Sequence, residues 1–141
     1  MLKVKNIYKS YYSGSFVNDV IMDVSLNIKS SDIICIMGPS GSGKSTLVNM
    51  FGSLLKPDKG EVFIDNKNIY ADRNIHRLRR ETIGLLFQNH YLLPEFNVME
   101  NLLIPSSLVN DNREDPRDFI KRHLSNLNLE NKLFSYPHEL S

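Results

Sequence analysis

A nine-residue stretch of the chain, Gly38-Pro39-Ser40-Gly41-Ser42-Gly43-Lys44-Ser45-Thr46, has residue types suited to holding a polyphosphate. It fits the pattern G-x-x-x-x-G-K-[ST], in which Gly38 and Gly43 frame a loop that Lys44 and Ser45 close. Glycines let backbone N–H groups turn inward and form an anion-binding concavity. Lys44 can contact the β- and γ-phosphates as a point charge, and the Ser45 hydroxyl can complete a Mg²⁺ ligand shell. The stretch therefore predicts nucleotide binding in preference to an ordinary turn.

Two elements must position this loop. The apolar run from Ile33 to Met37 predicts a buried strand before it, and the spacing of apolar residues between Leu47 and Leu55 predicts a helix that begins near Lys44. The amino end of that helix adds unpaired N–H groups and the positive end of its dipole. Strand, loop and helix together are the context that this motif requires. We expect Cys35 to be a small buried side chain of that strand, and a single cysteine cannot form an internal disulfide.

Composition limits the functions to consider. The chain has 141 residues, of which 41% are hydrophobic, as expected for a single soluble domain. Its 17 basic and 16 acidic residues give a net charge of +1, so we expect no nucleic acid as its main partner. No apolar run approaches the roughly 20 residues of a membrane span, and the start lacks a signal-peptide core. Membrane association is therefore expected only through a partner.

Other strands are predicted by alternation and by apolar runs. Alternation over residues 22–28 places Met22 on the apolar face of a half-buried strand, antiparallel to a first strand near Leu2. Residues 8–16 are expected to form a polar turn rich in aromatic side chains. The run 83–88 predicts a second, central parallel strand that ends in Gln88, at the strand end where ligands bind in α/β sheets.

Helices are predicted by their caps and faces. The basic run 72–81 is expected to be a solvated helix. Asn97 and Glu100 have the spacing of a capping box that opens a helix, which Pro105 should stop or kink. Asp115 followed by Pro116 is typical of an N-cap and first helical position.

Several separated motifs together resemble the N-terminal portion of an ABC-transporter ATP-binding subunit. The matching stretches are Gly38–Thr46 as Walker A, Gly84-Leu85-Leu86-Phe87-Gln88 as the Q-loop, and Leu140-Ser141 as the opening of the Leu-Ser-Gly-Gly-Gln signature. The wording of residues 92–96 and 136–141 is closest to the lipoprotein-releasing and macrolide-exporter branch. The resemblance covers the whole chain.

The resemblance implies an α/β fold of the P-loop NTPase, ABC-ATPase type. It would have an N-terminal antiparallel β subdomain and part of the helical subdomain, with the C-terminal core strands missing. Residues 1–141 would then form one incomplete ABC ATPase domain. Within it, residues 1–88 would hold the β subdomain and the nucleotide-binding core up to the Q-loop. Residues 89–141 would hold the Q-loop and helical subdomain and end inside the signature motif.

The resemblance also implies roles for single residues. Tyr11 would stack on adenine, with Tyr12 as the neighbouring alternative, and Gln88 would contact Mg²⁺ and help to place the attacking water. The implied cofactors are ATP and Mg²⁺. The nucleotide contacts would come from Tyr11, Gln88 and all nine Walker A residues, and the metal contacts from Ser45 and Gln88. The implied partners are an integral-membrane permease, contacted by the loop through Phe96, and a second ATPase subunit. The protein would lie at the cytoplasmic face of the inner or plasma membrane.

The sequence departs from the family pattern in two respects. The family has glycine where Ser31 stands, which questions a left-handed conformation there. The sequence also contains no Walker B strand, following glutamate or switch histidine, so no catalytic set is complete and the enzyme assignment stays open. We expect weak ATP binding and hydrolysis near background. The alternatives are a non-catalytic or split-gene nucleotide-binding fragment and, less compatible with Gln88 and Leu140-Ser141, a soluble P-loop kinase or GTPase.

Overall fold

The structure, a computed structural model, describes residues 1–71, 75–108 and 114–140. The chain divides into two compact units, residues 1–85 and 86–141. No helix within the described ranges is both long enough and apolar enough to cross a membrane. The domain boundary expected at Gln88 stays a prediction.

The first unit contains a four-stranded sheet in which every neighbouring pair is antiparallel. Its strands are β1 (Leu2–Ser13), β2 (Phe16–Ile28), β3 (Lys59–Ile64) and β4 (Lys67–Asn68), in the order β2-β1-β3-β4. The predicted antiparallel pairing of the first two strands is confirmed. The expected turn over residues 8–16 is wrong, because pairing continues to Ser13 opposite Phe16 and leaves only residues 14–15 as the turn.

Backbone irregularity changes which β2 side chains face the core. Alternation alone placed Met22 inside, but Met22 is 65% exposed and Ile21 is buried. The reason lies in Asp23, whose φ of 51° interrupts the extended backbone, and in register shifts of the partner strand between Val4 and Lys9. An interruption of this kind changes the phase of a period-two pattern, so the side chains before it exchange faces.

The described residues of the first unit also form two helices, α1 (Lys44–Phe51) and α2 (Ile75–Glu81). The expected start of a helix near Lys44 is confirmed. Helix α1 buries Met50 among side chains of the sheet, which makes the loop before it part of the same packed unit. The buried core consists of Val4, Ile7, Ile21, Met50, Val62 and Ile69.

The strands expected at residues 33–37 and 83–88 are not formed. No strand within the described ranges pairs with either segment, and the side chains of Ile33 and Met37 are 97% and 85% exposed. Cys35 is exposed as well, so its expected burial is wrong. An apolar run becomes a buried strand only where neighbouring strands satisfy its backbone groups, and pairing of that kind is not encoded in the run itself.

The second unit is built around α3 (Val98–Ser107) and α4 (Pro116–Asn126), followed by short 3₁₀ turns at Glu130–Lys132 and Pro137–Glu139. Its core contains Met99, Ile120, Leu124 and Leu133. The predicted capping box is confirmed, since the Glu100 amide donates to Asn97 Oδ1 over 3.0 Å and the Asn97 amide donates to the Glu100 carboxylate over 2.9 Å. The predicted N-cap of α4 is also confirmed, with the Arg117 amide 2.8 Å from Asp115 Oδ1. Helix α3 ends two residues after Pro105.

Candidate nucleotide-binding site

The loop Gly38–Thr46 wraps around the amino end of α1. Gly41 and Gly43 have φ angles of 80° and 87°, and Gly43 is the N-cap of the helix. Gly43 has no side chain, and no other side chain among the described residues caps this end of α1. Its first N–H groups are therefore available to an external acceptor, and the helix dipole adds positive potential there. Ser40, Gly41, Ser42 and Ser45 are exposed, so an anion can reach these groups.

Lys44 closes the loop on itself. Its Nζ donates hydrogen bonds to the carbonyl oxygens of Gly38 and Pro39 over 2.9 and 2.6 Å. An ammonium group held over the concavity supplies a compact positive charge where phosphate oxygens would enter. The two carbonyls also order the loop, because they connect its first two residues to the first residue of the helix. The arrangement suits a polyanion with several oxygens.

The donor set around the loop fits a magnesium ion that arrives with a nucleotide. Ser45 offers an exposed hydroxyl, and no cluster of three or more histidine, cysteine or acidic side chains occurs among the described residues. Mg²⁺ is commonly bound through one or two protein groups, phosphate oxygens and water molecules. One loop hydroxyl is therefore sufficient as a protein ligand, provided that phosphates supply others.

The β1–β2 hairpin brings an aromatic ring to the loop. The hydroxyl of Tyr11 lies 3.5 Å from Thr46 Oγ1, and its side chain is 44% exposed. Tyr12 is 75% exposed and, as the next residue of the same strand, points to the opposite face of the hairpin. The geometry favours Tyr11 over Tyr12 for a flat ring contact near the phosphate loop. Its stacking role stays a prediction.

The carboxyl end of α1 is held by two side chains that the sequence did not single out. The Tyr70 hydroxyl lies 2.6 Å from the carbonyl oxygens of both Met50 and Leu55. Burial raises the pKa of Tyr70 to about 12, an effect that nearby Arg79 partly opposes. Arg79 donates from Nε to Ser53 Oγ over 3.0 Å and from Nη2 to Ser53 O over 2.5 Å. Arg79 belonged to a run interpreted as a solvated basic helix, and no local signal distinguishes it from its neighbours.

Ser31 has a left-handed backbone conformation, although serine in place of the family's glycine had questioned one at this position. Its φ is 68°, in the turn between β2 and the segment that leads to the loop. The carboxylate of Asp32 accepts the amide of Lys29 over 2.8 Å and closes this turn. Serine therefore occupies a conformation in which its Cβ is unfavourable.

In the second unit, Gln88 and the residues after it form an exposed loop that precedes α3. The side chain of Asn101 anchors that loop: its amide group donates to the carbonyl oxygens of Leu93, Phe96 and Asn97, and its oxygen accepts the Leu93 amide. Sequence reasoning missed Asn101, whose contacts reach back eight residues to Leu93. The metal and water contacts of Gln88 stay predictions.

Of the two residues assigned to the signature motif, Leu140 is half-buried and its amide lies 3.2 Å from Pro137 O. Ser141 lies outside the described residues. The turn before Leu140 is closed by the Tyr136 amide, which donates to the Glu139 carboxylate over 2.8 Å. Glu139 is therefore engaged locally by the backbone of its own turn.

Comparison with known proteins gives the same family from sequence and structure. Residues 21–141 match the family model described as ABC transporter. The chain is 38% identical over its full length to a lipoprotein-releasing system ATP-binding protein, LolD, of Rickettsia bellii, and spans 62% of that relative. It is 34% identical over its full length to an Escherichia coli macrolide export ATP-binding/permease protein, MacB, of which it spans 22%.

A solved structure gives the same result for the fold. The ATP-binding cassette MJ0796, solved as a dimer in a post-hydrolysis state bound to ADP and Pi, superimposes with a TM-score of 0.87 at 36% identity. A protein of that name comes from Methanocaldococcus jannaschii. The match covers all of this chain and 63% of that one. The chain thus spans less than two thirds of the length of these relatives.

Proposed function

The chain belongs to the ABC transporter family and has the P-loop NTPase fold of its ATP-binding cassettes, and on that premise we propose that residues Gly38–Thr46 bind the triphosphate of ATP together with Mg²⁺. Lys44 and the amides at the start of α1 contact the phosphates, and the Ser45 hydroxyl is a magnesium ligand. Magnesium, when bound, neutralises the charge that the phosphates bring together. Tyr11 stacks on the adenine ring.

One observation carries the proposal: Lys44 Nζ lies against the carbonyls of Gly38 and Pro39, beside an uncapped helix end. Each of these groups alone occurs in many proteins. Together they concentrate a full positive charge, several free N–H groups and a helix dipole on one exposed concavity. A nucleotide triphosphate matches that combination better than a single small anion does.

We further propose that the protein acts with a membrane permease and a second ATP-binding subunit at the cytoplasmic face of the membrane. LolD proteins are named for lipoprotein release and MacB for macrolide export with its own permease, and the MJ0796 cassette was solved as a dimer. Lipoprotein release or export is the corresponding transport activity. The loop fastened by Asn101 is the proposed permease contact, since it exposes Tyr91 and Leu93 beside polar backbone groups.

Hydrolysis requires a nucleophilic water that is oriented by a further group, and Gln88 is the candidate within this chain. We propose that the 141 residues by themselves bind ATP weakly and hydrolyse it near background. A non-catalytic role, in which the chain binds nucleotide without turnover, is the second candidate. The exposed side chains of Ile33, Ile34 and Met37 favour it for the isolated chain, because no described strand pairs with the segment that leads to the phosphate loop.

The test is an isothermal calorimetric titration with Mg-ATP of the wild type and of Lys44→Ala. Lys121→Ala is the matched control, since Lys121 is an exposed lysine on α4. We expect Lys44→Ala to lower affinity at least tenfold, because a charge-assisted phosphate contact is lost, and the control to stay within twofold. Equal affinities for the wild type and Lys44→Ala would exclude the proposed site. Phosphate release, measured in the same samples, is expected near background, and release well above background would exclude the non-catalytic role.

A further inference from the structure

The carboxyl end of α1 is fixed by side chains from outside the helix. After Phe51 the chain leaves the helix, and Ser53 has a φ of 62° with only 1% of its surface exposed. Arg79 from α2 makes two hydrogen bonds to Ser53, one to its hydroxyl and one to its carbonyl. Tyr70 adds its hydroxyl between the carbonyls of Met50 and Leu55.

These contacts use carbonyls at the end of α1 and in the turn that follows it. The Met50 carbonyl, which belongs to the helix, also accepts the Ser53 amide over 3.3 Å, and the carbonyls of Ser53 and Leu55 lie after the helix. The last carbonyls of a helix have no intrahelical partner, and when they are buried they need a donor from elsewhere. A guanidinium is a strong donor with fixed geometry, so its two bonds restrain both the position and the direction of the chain at Ser53. Tyr70 supplies one proton, which the two carbonyls share. Together they hold the end of α1 against the rest of the first unit.

The same helix presents the phosphate loop at its other end. Eight residues of α-helix are about 12 Å long, so a tilt of about 5° around the carboxyl end moves the amino end by about 1 Å. Phosphate contacts depend on N–H groups held within a few tenths of an ångström. The orientation of α1 therefore decides whether Lys44 and the loop amides converge on one ligand.

We propose that Arg79 and Tyr70 are positioning residues for the phosphate loop, which act on nucleotide affinity through the orientation of α1. The inference rests on the proposed nucleotide binding, since it concerns the same loop. Without the Arg79 contacts, α1 samples tilted orientations in which the loop does not bind. The apparent dissociation constant then rises by the reciprocal of the fraction that stays competent.

The experiment compares Arg79→Met with Arg80→Met in the full chain. Arg80 is the neighbouring arginine of the same helix, is exposed, and pairs with Glu81 over 3.2 Å. We expect Arg79→Met to weaken Mg-ATP binding about tenfold, which is the scale of losing a hydrogen bond to a charged group. Arg79→Lys, which keeps the charge but has one donor nitrogen in place of three, should recover part of the affinity. Arg80→Met should stay within twofold of the wild type.

A second readout separates positioning from general stability. The ¹H–¹⁵N amide resonances of Gly41, Gly43 and Lys44, recorded for the folded free protein, should shift or broaden in Arg79→Met and stay unchanged in Arg80→Met. Unchanged affinity and unchanged loop resonances in Arg79→Met would overturn the proposal, even if the melting temperature fell. Should Arg79→Met fail to fold, Arg79→Lys and Tyr70→Phe decide: wild-type affinity and resonances in both would overturn it. A wild type that binds no Mg-ATP contradicts the proposed function, while the resonance comparison still tests the positioning role.

Discussion

Gly41 and Gly43 have almost the same backbone conformation in very different surroundings, so they form a matched pair for mutation to alanine. Their φ angles are 80° and 87°. A Cβ added at Gly41 meets no atom within 4 Å, whereas at Gly43 it would lie 2.8 Å from Val20 Cγ1 and 3.0 Å from both Ile21 Cδ1 and the Val20 carbonyl oxygen. The strain of a left-handed alanine is common to both sites, and the steric clash is specific to one.

The expected destabilisation follows from these two costs. A left-handed conformation costs an alanine about 1–2 kcal/mol relative to glycine, and Gly41→Ala should lose about that much in free energy of unfolding. Gly43→Ala should lose about 2–5 kcal/mol, because overpacking against β2 adds about 1–3 kcal/mol. Gly43→Ala should also weaken Mg-ATP binding more, since Gly43 is the N-cap of α1 and relief of the clash moves the helix end.

Urea unfolding gives both free energies, with the slope of each transition checked for constancy. Val20→Ala, alone and combined with Gly43→Ala, completes a double-mutant cycle that isolates the contact between the two side chains. We expect a coupling energy of about 1 kcal/mol that favours the double variant, since the nearest clashing atom is gone and the carbonyl contact remains. Equal destabilisation by Gly41→Ala and Gly43→Ala, or a coupling energy near zero, would refute the steric reasoning.

Three further predictions test other parts of the structure. In the Mg-ATP titration, Tyr11→Ala should weaken binding about tenfold, which is the scale of one aromatic stacking contact, and Tyr12→Ala should weaken it less than twofold. A larger effect of Tyr12→Ala than of Tyr11→Ala would assign the stacking role to Tyr12. Ser31→Gly should raise the free energy of unfolding by about 1 kcal/mol, because it removes left-handed strain at φ 68°, and a lower midpoint in urea would contradict this. The pKa of Tyr70 is raised to about 12 in the folded chain, against an ordinary value of 10.0. The contribution of Tyr70 to the free energy of unfolding is therefore complete below pH 10 and is lost as the pH rises from 10 towards 12. The difference in free energy of unfolding between the wild type and Tyr70→Phe should therefore be about 1 kcal/mol smaller at pH 11 than at pH 8, after allowance for solvent screening of a half-exposed group. A difference that does not change with pH would contradict this prediction.

Features encoded within a few residues were predictable from the sequence. The phosphate loop with the helix after it and the caps at Asn97 and Asp115 depend on side chains at most six positions from the backbone groups they serve. The antiparallel start of the chain extends outward from a two-residue turn. Local hydrogen bonds and turn geometry decide these features, and local sequence contains that information.

Features that depend on distant partners were not predictable. Arg79 meets Ser53 across 26 residues and Tyr70 meets Met50 across 20, so nothing in the basic run distinguishes Arg79 from Arg80. The apolar run 33–37 indicates a strand wherever partner strands exist, and pairing is a property of the partners as much as of the run. Met22 was misplaced because one left-handed residue, Asp23, changed the phase of the strand.

The β1–β2 hairpin contacts the loop at two points, through Val20 beside Gly43 and through the Tyr11 hydroxyl near Thr46. The spacing between the proposed base contact and the phosphate contacts is therefore set by one pair of hydrogen-bonded strands. Once one end of a nucleotide is bound, the other end meets its contact as an intramolecular event, at a high effective concentration. The ribose connector of the ligand has to match that spacing. Adenosine and inorganic triphosphate, added as separate molecules, lose this advantage. The hairpin therefore favours ligands that have both the right chemical groups and the right distance between them.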